Sequence, residues 1–371
     1  MKLFHKTWHK PDYHFLITLL AIIILGLIML SSASVALSYE KFGNAYFYVK
    51  HQIFSGLIPG IFLLIVFSLV DYRLWKKVAF AALIFSIALL MAVFIPGIRA
   101  EYGTAQSWLN IFGVSFQPAE LVKLTFLIYL AAFLEAKGRK KAGDLREGMV
   151  PFLVVLGIIA LLLILQPDIG TMMIIIIFSL IVYFVGGAKL SHMAAFGFGG
   201  VISLLLLIKI SPYRSARLMT FLHPELDPQG VGYHINQAFL AIGSGGLWGR
   251  GFGMSRQKFQ YLPEVAGDSI FAIIAEELGF FISALIIIAF LYLMYRGFKI
   301  AQTAPDNFAK LLVVGIISWI MVQSFVNIGA MVGLLPLTGV PLPFVSYGGT
   351  AMAVLLGACG IIINISRQTR A

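Results

Sequence analysis

Residues 150–187 read VPFLVVLGIIALLLILQPDIGTMMIIIIFSLIVYFVGG, two apolar runs separated only by Gln166-Pro167-Asp168. A helix needs about 17 to 25 largely apolar residues to cross a hydrocarbon core about 30 Å thick. Both runs are long enough, and the proline, which lacks an N–H, stops the first helix at the break. The stretch predicts two membrane-crossing helices joined by a tight polar turn.

Comparable windows lie outward of this pair at about 14–34, 49–70, 75–95, 119–136, 189–209, 269–295, 309–332 and 345–366, which gives ten transmembrane helices. Composition agrees: of 371 residues 60% are hydrophobic and 12% charged, and the mean hydropathy is +0.94. A soluble domain carries roughly 25% charged residues, so an ordinary soluble enzyme is excluded. The expected fold is an all-α integral membrane protein, one polytopic domain over 1–371, with a long extracytoplasmic loop at 210–268 between spans 7 and 8.

The net charge of +11 would suggest nucleic acid in a soluble protein. Here its distribution reports topology instead. With the N-terminus in the cytoplasm, the short inner segments hold most of the Lys and Arg, among them Lys76, Lys77, Lys137, Arg139, Lys140, Lys141, Arg146 and Lys189. Both termini are then cytoplasmic, and the basic lead has no small-residue cleavage site, so the first span is expected to be retained. One cysteine, Cys359, excludes an internal disulfide framework and a cysteine-based metal cluster.

The polar chemistry concentrates in SPYRSARLMTFLHPELDPQGVGYHINQAFLAIGSGGLWGRGFGMSRQKFQYLPEVAGD (211–268). Loops of this length are uncommon unless functional or disordered, and the apolar anchors Phe221, Leu222, Phe239, Leu240 and Trp248 argue against disorder. Arg214 with Arg217, and Arg256 with Lys258, form two close cationic pairs. A guanidinium fork matches phosphate oxygens and Lys supplies a point charge, so an anionic headgroup is the expected ligand; pairing with lipid phosphates or with Glu225 and Asp227 is the alternative. The glycines of GSGGLWGRGFG (243–253) fit neither a dinucleotide nor a Walker A pattern, and a sharply folded loop explains them.

Asp268 stands where this loop meets the eighth span. A partly desolvated carboxylate there could accept a proton from a sugar hydroxyl, or it could simply cap the helix that follows. Glu120 and Lys123, at i and i+3 in the fourth span, are spaced for an ion pair that either lines a cavity or meets substrate. Glu276 and Glu277 are adjacent on a helix, so at most one is expected to face Asp268. In NIGAMVGLLPLTGVPLPFVSYGGT (327–350), Pro336, Pro341 and Pro343 interrupt an apolar run, and non-helical backbone at that depth implies a cavity near the long loop.

Six ordered stretches, LNIFGVSFQPAELVKL (109–124), LQPDIGT (165–171), DPQGVGYHINQAFLAIGSGGLWGRG (227–251), MSRQKFQYLPE (254–264), IFAIIAEELG (270–279) and NIGAMVGLLPLTGVPLPFVSYGG (327–349), together resemble the SEDS family of shape, elongation, division and sporulation proteins. The wording is closer to its cell-division members than to its elongation members. The resemblance implies a ten-span peptidoglycan glycosyltransferase of the bacterial cytoplasmic membrane, acting at the septum on lipid II, a disaccharide-pentapeptide on undecaprenyl pyrophosphate. It implies a class B penicillin-binding protein transpeptidase and other divisome proteins as partners, alongside membrane lipids and no nucleic acid. The family's essential aspartate corresponds to Asp268, within AGDSIF (266–271), and its fourth-span Glu and Lys correspond to Glu120 and Lys123. Arg214, Arg217, Arg256 and Lys258 are the cations available to the departing pyrophosphate. No cofactor is implied, and the residues leave open whether a divalent cation assists. A lipid II flippase, working through Glu120 and Lys123, is the rival function, and a scaffold that only recruits a transpeptidase is a third.

Overall fold

The computed structural model describes residues 9–97, 107–111, 114–210, 212–223 and 230–369. Its N-terminal helix α1 (Tyr13–Ala33) is capped by Asp12, whose carboxylate accepts from the Phe15 amide at 2.9 Å. Two short helices follow, α2 (Val35–Phe42) and α3 (Phe47–Gln52), and α3 runs through one π turn (Ile53–Leu57) into α4 (Ile58–Leu69). The wide turn falls just before Pro59, whose missing N–H and bulky ring disrupt a regular ladder. Next come α5 (Tyr72–Ala92), a two-stranded antiparallel hairpin of β1 (Leu109–Ile111) and β2 (Val114–Phe116), and α6 (Pro118–Ala142).

A π turn capped by Asp144 leads into α7 (Val150–Leu165), and α8 (Ile169–Val185) starts at Asp168, which accepts from the Thr171 amide at 3.1 Å. The expected break at Gln166-Pro167-Asp168 is therefore where the two helices separate. Then come α9 (Leu190–Ile210), α10 (Pro212–Leu222), α11 (Val231–Gly245), α12 (Ile270–Gln302), α13 (Asn307–Met331) and α14 (Gly349–Ser366). Among the described residues, seven helical segments are long and apolar enough to cross a membrane, and α8 is a shorter apolar helix.

The centre of the bundle is formed by α13 and α14, buried nearly all round. Trp319 of α13 is fully buried and stacks at a tilt on Phe178 of α8. Where α14 meets α4 the contact is made through small residues: a methyl at Gly60 would lie 3.1 Å from the Ala353 Cα, and one at Gly360 2.9 Å from the Leu64 Cα. Close backbone approach of this kind substitutes in lipid for the absent hydrophobic drive. Phe62 and Ile65 of α4, Phe80, Ile84 and Phe85 of α5, and Ile158, Leu161 and Leu165 of α7 are exposed, a ring of apolar side chains suited to acyl chains.

Polar residues gather at the two ends of the bundle. At one end the His9 amide donates to the Arg367 carbonyl at 3.0 Å, Arg296 of α12 pairs with Asp12 at 2.5 Å, and the Tyr72 hydroxyl donates to Asp306 at 2.6 Å. The opposite end holds the β-hairpin, the segment 246–269 and the non-helical segment 332–348. Two features go beyond the sequence expectation. The all-α expectation misses the hairpin, and the long loop contains two helices, α10 and α11.

Candidate functional site

The eighth apolar segment is not one continuous helix. At Gly279 the backbone of α12 leaves helical geometry, with φ 77° and ψ −175°, so the amides of Phe280 and Phe281 lose their partners within α12. The glycine-rich loop replaces those partners. Gly246 and Leu247 carbonyls accept from Phe280 and Phe281 at 3.0 and 3.4 Å, while the Arg250 and Gly251 amides donate to the Glu276 and Glu277 carbonyls at 2.9 and 3.0 Å. Backbone can approach this closely only without side chains: a Cβ on Gly279 would sit 2.2 Å from the Gly249 nitrogen. The glycine run is thus a strap that satisfies a broken helix, in line with the folded-loop expectation.

The break aims both glutamates into the same loop. Glu276 accepts from the Arg256 and Gln257 amides at 2.9 and 3.3 Å and pairs with the Arg250 guanidinium at 3.3 Å. Glu277 accepts from the Gly253 and Ser255 amides at 3.0 and 3.3 Å, from the Ser32 hydroxyl of α1 at 2.7 Å, and from the Lys258 ammonium at 2.9 Å. Lys258 is 2% exposed, and its other two donors go to the Gly253 carbonyl at 2.6 Å and Ser32 at 3.1 Å. An ammonium has three N–H bonds, so Lys258 has none left for a phosphate. The structure thus commits Lys258 to an internal ion pair, contrary to the expected headgroup contact. Arg256 uses its backbone on Glu276 while its side chain is exposed. Arg214 and Arg217 lie on α10, and their side chains fall outside the described residues.

Asp268 stands two residues before α12, and the cap position belongs to Ser269, whose hydroxyl bonds the Pro263 carbonyl at 2.7 Å and His234 at 2.6 Å. Three successive carbonyls hold the approach to it in place. Ala266 accepts from the Tyr347 amide at 2.8 Å, Gly267 from the Ser346 hydroxyl at 2.6 Å, and Asp268 from the Asn327 side-chain amide at 2.8 Å. The half-buried Asp268 lies on a shallow crevice lined also by Asn327, Met331, Leu337, Thr338 and Val340. The interrupted segment 332–348 thus lies beside Asp268, where it leaves a shallow crevice and not the open cavity its prolines suggest.

Glu120 and Lys123 do pair, at 2.7 Å, and both are almost wholly buried. Lys123 also donates to Gln323 at 3.0 Å and lies 5.0 Å from the centre of the Trp319 ring. Gln323 donates in turn to the Pro341 carbonyl at 2.9 Å, and Asn327, one turn further along α13, donates to the Val340 carbonyl at 2.8 Å. One face of α13 therefore joins the Glu120–Lys123 pair to the backbone at Asp268 through the interrupted segment. Glu276 and Glu277 belong to the separate loop network, and both carboxylates are used there.

Gln323, Asn327, Ser346 and Gln52 were not singled out in the sequence. All are buried, and Gln52 locks the interrupted segment by donating to the Ser346 carbonyl at 3.3 Å and accepting from the Gly348 amide at 2.9 Å. A search for uncharged polar side chains in apolar runs would have found them, because such groups at membrane depth also need partners. Among the described residues no group of three or more His, Cys, Asp or Glu side chains is placed to hold a metal ion.

A helical membrane bundle in which the broken α12 is strapped by a glycine loop, and an acid is held at the edge of a proline-interrupted segment, defines a polytopic protein with this polar site at one end. Over residues 13–371 the chain matches the FtsW/RodA/SpoVE cell cycle protein family, and it belongs to that family. Similar proteins include stage V sporulation protein E of Bacillus subtilis, 39% identical over 362 residues that cover 97% of this chain and 98% of that protein. A probable peptidoglycan glycosyltransferase FtsW of Nitrosomonas europaea is 37% identical over 378 residues, covering 99% and 96%. Among solved structures, rod shape determining protein RodA of Thermus thermophilus superposes with a TM-score of 0.71 at 25% identity, covering 97% of this chain and 98% of that one. A chain from a peptidoglycan synthase complex superposes with a TM-score of 0.80 at 24% identity, covering 97% and 98%, a likeness of fold.

Proposed function

We propose that this chain is a peptidoglycan glycosyltransferase that polymerises lipid II into β-1,4 glycan at the outer face of the cytoplasmic membrane, in septal synthesis. The family membership and the relatives named as peptidoglycan glycosyltransferases support it. The observation that carries it furthest is the fixing of the Asp268 backbone by Asn327, Ser346 and Tyr347, with its side chain on a shallow crevice. We read α1, the α3–α4 unit, α5, α6, α7, α8, α9, α12, α13 and α14 as ten crossings, with both termini cytoplasmic and the segment 210–268 outside.

In this reaction the acceptor sugar hydroxyl oxygen bonds to the donor's anomeric carbon, the carbon–oxygen bond to undecaprenyl pyrophosphate breaks, and configuration inverts in one displacement. Asp268 takes the hydroxyl proton as general base, a contribution of typically about 10²- to 10⁴-fold. Arg256, exposed beside the strap, and Arg214 and Arg217 on α10 supply positive charge for the departing pyrophosphate. Lys258 acts one step removed, by fixing the loop that carries Arg256. Glu120 and Lys123 hold the floor of the site through Gln323. A class B penicillin-binding protein is the proposed partner.

The test gives purified protein, with that partner, lipid II on the accessible face. Glycan ladders are expected, and Asp268→Asn should abolish them while the protein stays monodisperse and partner-bound. Movement of labelled lipid II across vesicles with no polymer would replace this function with that of a flippase.

A further inference from the structure

At the end of the bundle that holds Asp268, α3 finishes in His51 and Gln52, directly before the π turn at Ile53–Leu57. These two side chains grip three consecutive residues of the interrupted segment. Gln52 takes the backbone, donating to the Ser346 carbonyl at 3.3 Å and accepting from the Gly348 amide at 2.9 Å. His51 takes the side chain between them. The Tyr347 hydroxyl lies 2.8 Å from His51 Nδ1, and donates to it when the imidazole carries its proton on Nε2. Tyr48, one turn earlier on α3, meets the Tyr347 ring edge-on with centres 4.9 Å apart.

The imidazole is itself held. Ser55, in the π turn, lies 2.9 Å from the same Nδ1 and donates to the His51 carbonyl at 2.5 Å. That turn is packed hard on the start of α14, where a Cβ on Gly349 would lie 2.6 Å from the Ser55 Oγ.

What this grip controls is the approach to Asp268. The Tyr347 amide donates to the Ala266 carbonyl at 2.8 Å and the Ser346 hydroxyl to the Gly267 carbonyl at 2.6 Å, the two residues that lead into Asp268. A hold on the backbone at 346 and 348 alone would leave the segment able to roll about the line between them. A ring fixed at 347 stops the roll, which would otherwise withdraw both donors from 266 and 267. One hydrogen bond of this kind adds little to stability. Misplacing a catalytic group by about 1 Å, however, can slow a reaction by roughly a hundredfold.

We propose that His51 is a positioning residue of the polymerase: through Tyr347 it fixes where Asp268 meets the acceptor hydroxyl, without touching lipid II. The inference rests on the polymerase reading above and adds a residue to it.

The test measures glycan synthesis by the purified full chain with its penicillin-binding partner over a range of lipid II concentrations. His51→Leu should lower kcat by roughly tenfold to a hundredfold and leave KM within about twofold. His51→Asn, whose side-chain oxygen falls near the place of Nδ1, should restore most of the rate. Tyr347→Phe, which removes only the hydroxyl, should match His51→Leu, and the double variant should be no slower than either, since all three lack the same bond. Amide exchange at Tyr347 should quicken in His51→Leu and in Tyr347→Phe but not in His51→Asn. If His51→Leu is not monodisperse, Tyr347→Phe carries the test. An unchanged kcat in Tyr347→Phe, a raised KM at constant kcat, or single losses that multiply in the double variant would each overturn the proposal while the unaltered protein still makes polymer. No polymer from the unaltered protein would overturn the polymerase reading, and this proposal with it.

Discussion

Lys258→Met removes the ammonium that meets the Glu277 carboxylate at 2.9 Å while keeping an apolar chain of similar length. Glu277 is fully buried, and after the change it retains the Gly253 and Ser255 amides and the Ser32 hydroxyl but no counter-charge. Removing one partner of a buried pair typically costs about 3 to 5 kcal/mol, most of it the penalty of the charge left behind. Lys258→Met should therefore lower the folded-to-unfolded ratio by more than about a hundredfold. Glu277→Gln strands the ammonium instead and should cost a comparable amount. The double variant Lys258→Met/Glu277→Gln buries no unpaired charge and should recover most of the loss, because exchanging a whole buried pair for neutral groups is often close to neutral. A double-mutant cycle on unfolding in detergent measures the coupling, expected at about 2 kcal/mol or more, within the range for groups in one network. Strictly additive single effects would refute the assignment. So would a Lys258→Met protein of undiminished stability that has lost lipid II affinity, since that would return Lys258 to the substrate.

The strap at Gly279 separates two kinds of glycine. Gly279→Ala places a Cβ 2.2 Å from the Gly249 nitrogen and should prevent a monodisperse product, whereas Gly253→Ala, with φ 80° and open space around it, should cost only about 1 to 2 kcal/mol in thermal unfolding. Asn327→Ala removes the side-chain amide that holds the Asp268 and Val340 carbonyls, and should cost about 1 to 3 kcal/mol while lowering polymer yield more than lipid II binding, as seen by parallel gel and binding assays. Gln323→Leu withdraws the acceptor shared by Lys123 and Trp319 and should destabilise by a similar amount; an unchanged melting profile would separate Lys123 from α13. Acid should loosen the 144–149 turn. Amide hydrogen bonds from Glu147 and Arg146 hold the Asp144 carboxyl below the usual carboxylate range, so its capping contribution is complete above that range and is lost as pH falls through the lowered value, visible as faster amide exchange at Arg146 and Glu147.

Much of the bundle was legible because the lipid imposes one rule, long apolar runs, and few polar residues interrupt it. The Gln166-Pro167-Asp168 turn, the Glu120–Lys123 pair and the non-helical backbone of the proline-rich segment all follow from that rule and from helix spacing. The hairpin at 109–116 was not legible, since three-residue strands carry too little alternation to stand out from loop. Charge alone misled at Lys258. A cation in a polar loop looks solvent-facing until the partner is known, and its partner lies on α12, whose break at Gly279 turns Glu277 toward it. The amides that hold Asp268 and the interrupted segment are hidden for the opposite reason: Asn327 and Gln52 are uncharged and look like interruptions of apolar text. Their role appears only when the carbonyls they bind are brought near by the fold.

The four backbone bonds across the broken helix have one further consequence. They pair residues 246, 247, 250 and 251 with 280, 281, 276 and 277 in a fixed register. A ladder of this kind cannot gain a rung on one side only. Adding or deleting one residue between Gly246 and Gly251 would put these amides and carbonyls out of register with their partners on α12. Natural drift here should therefore change letters and never length, and any tag or reporter is better placed beyond this stretch.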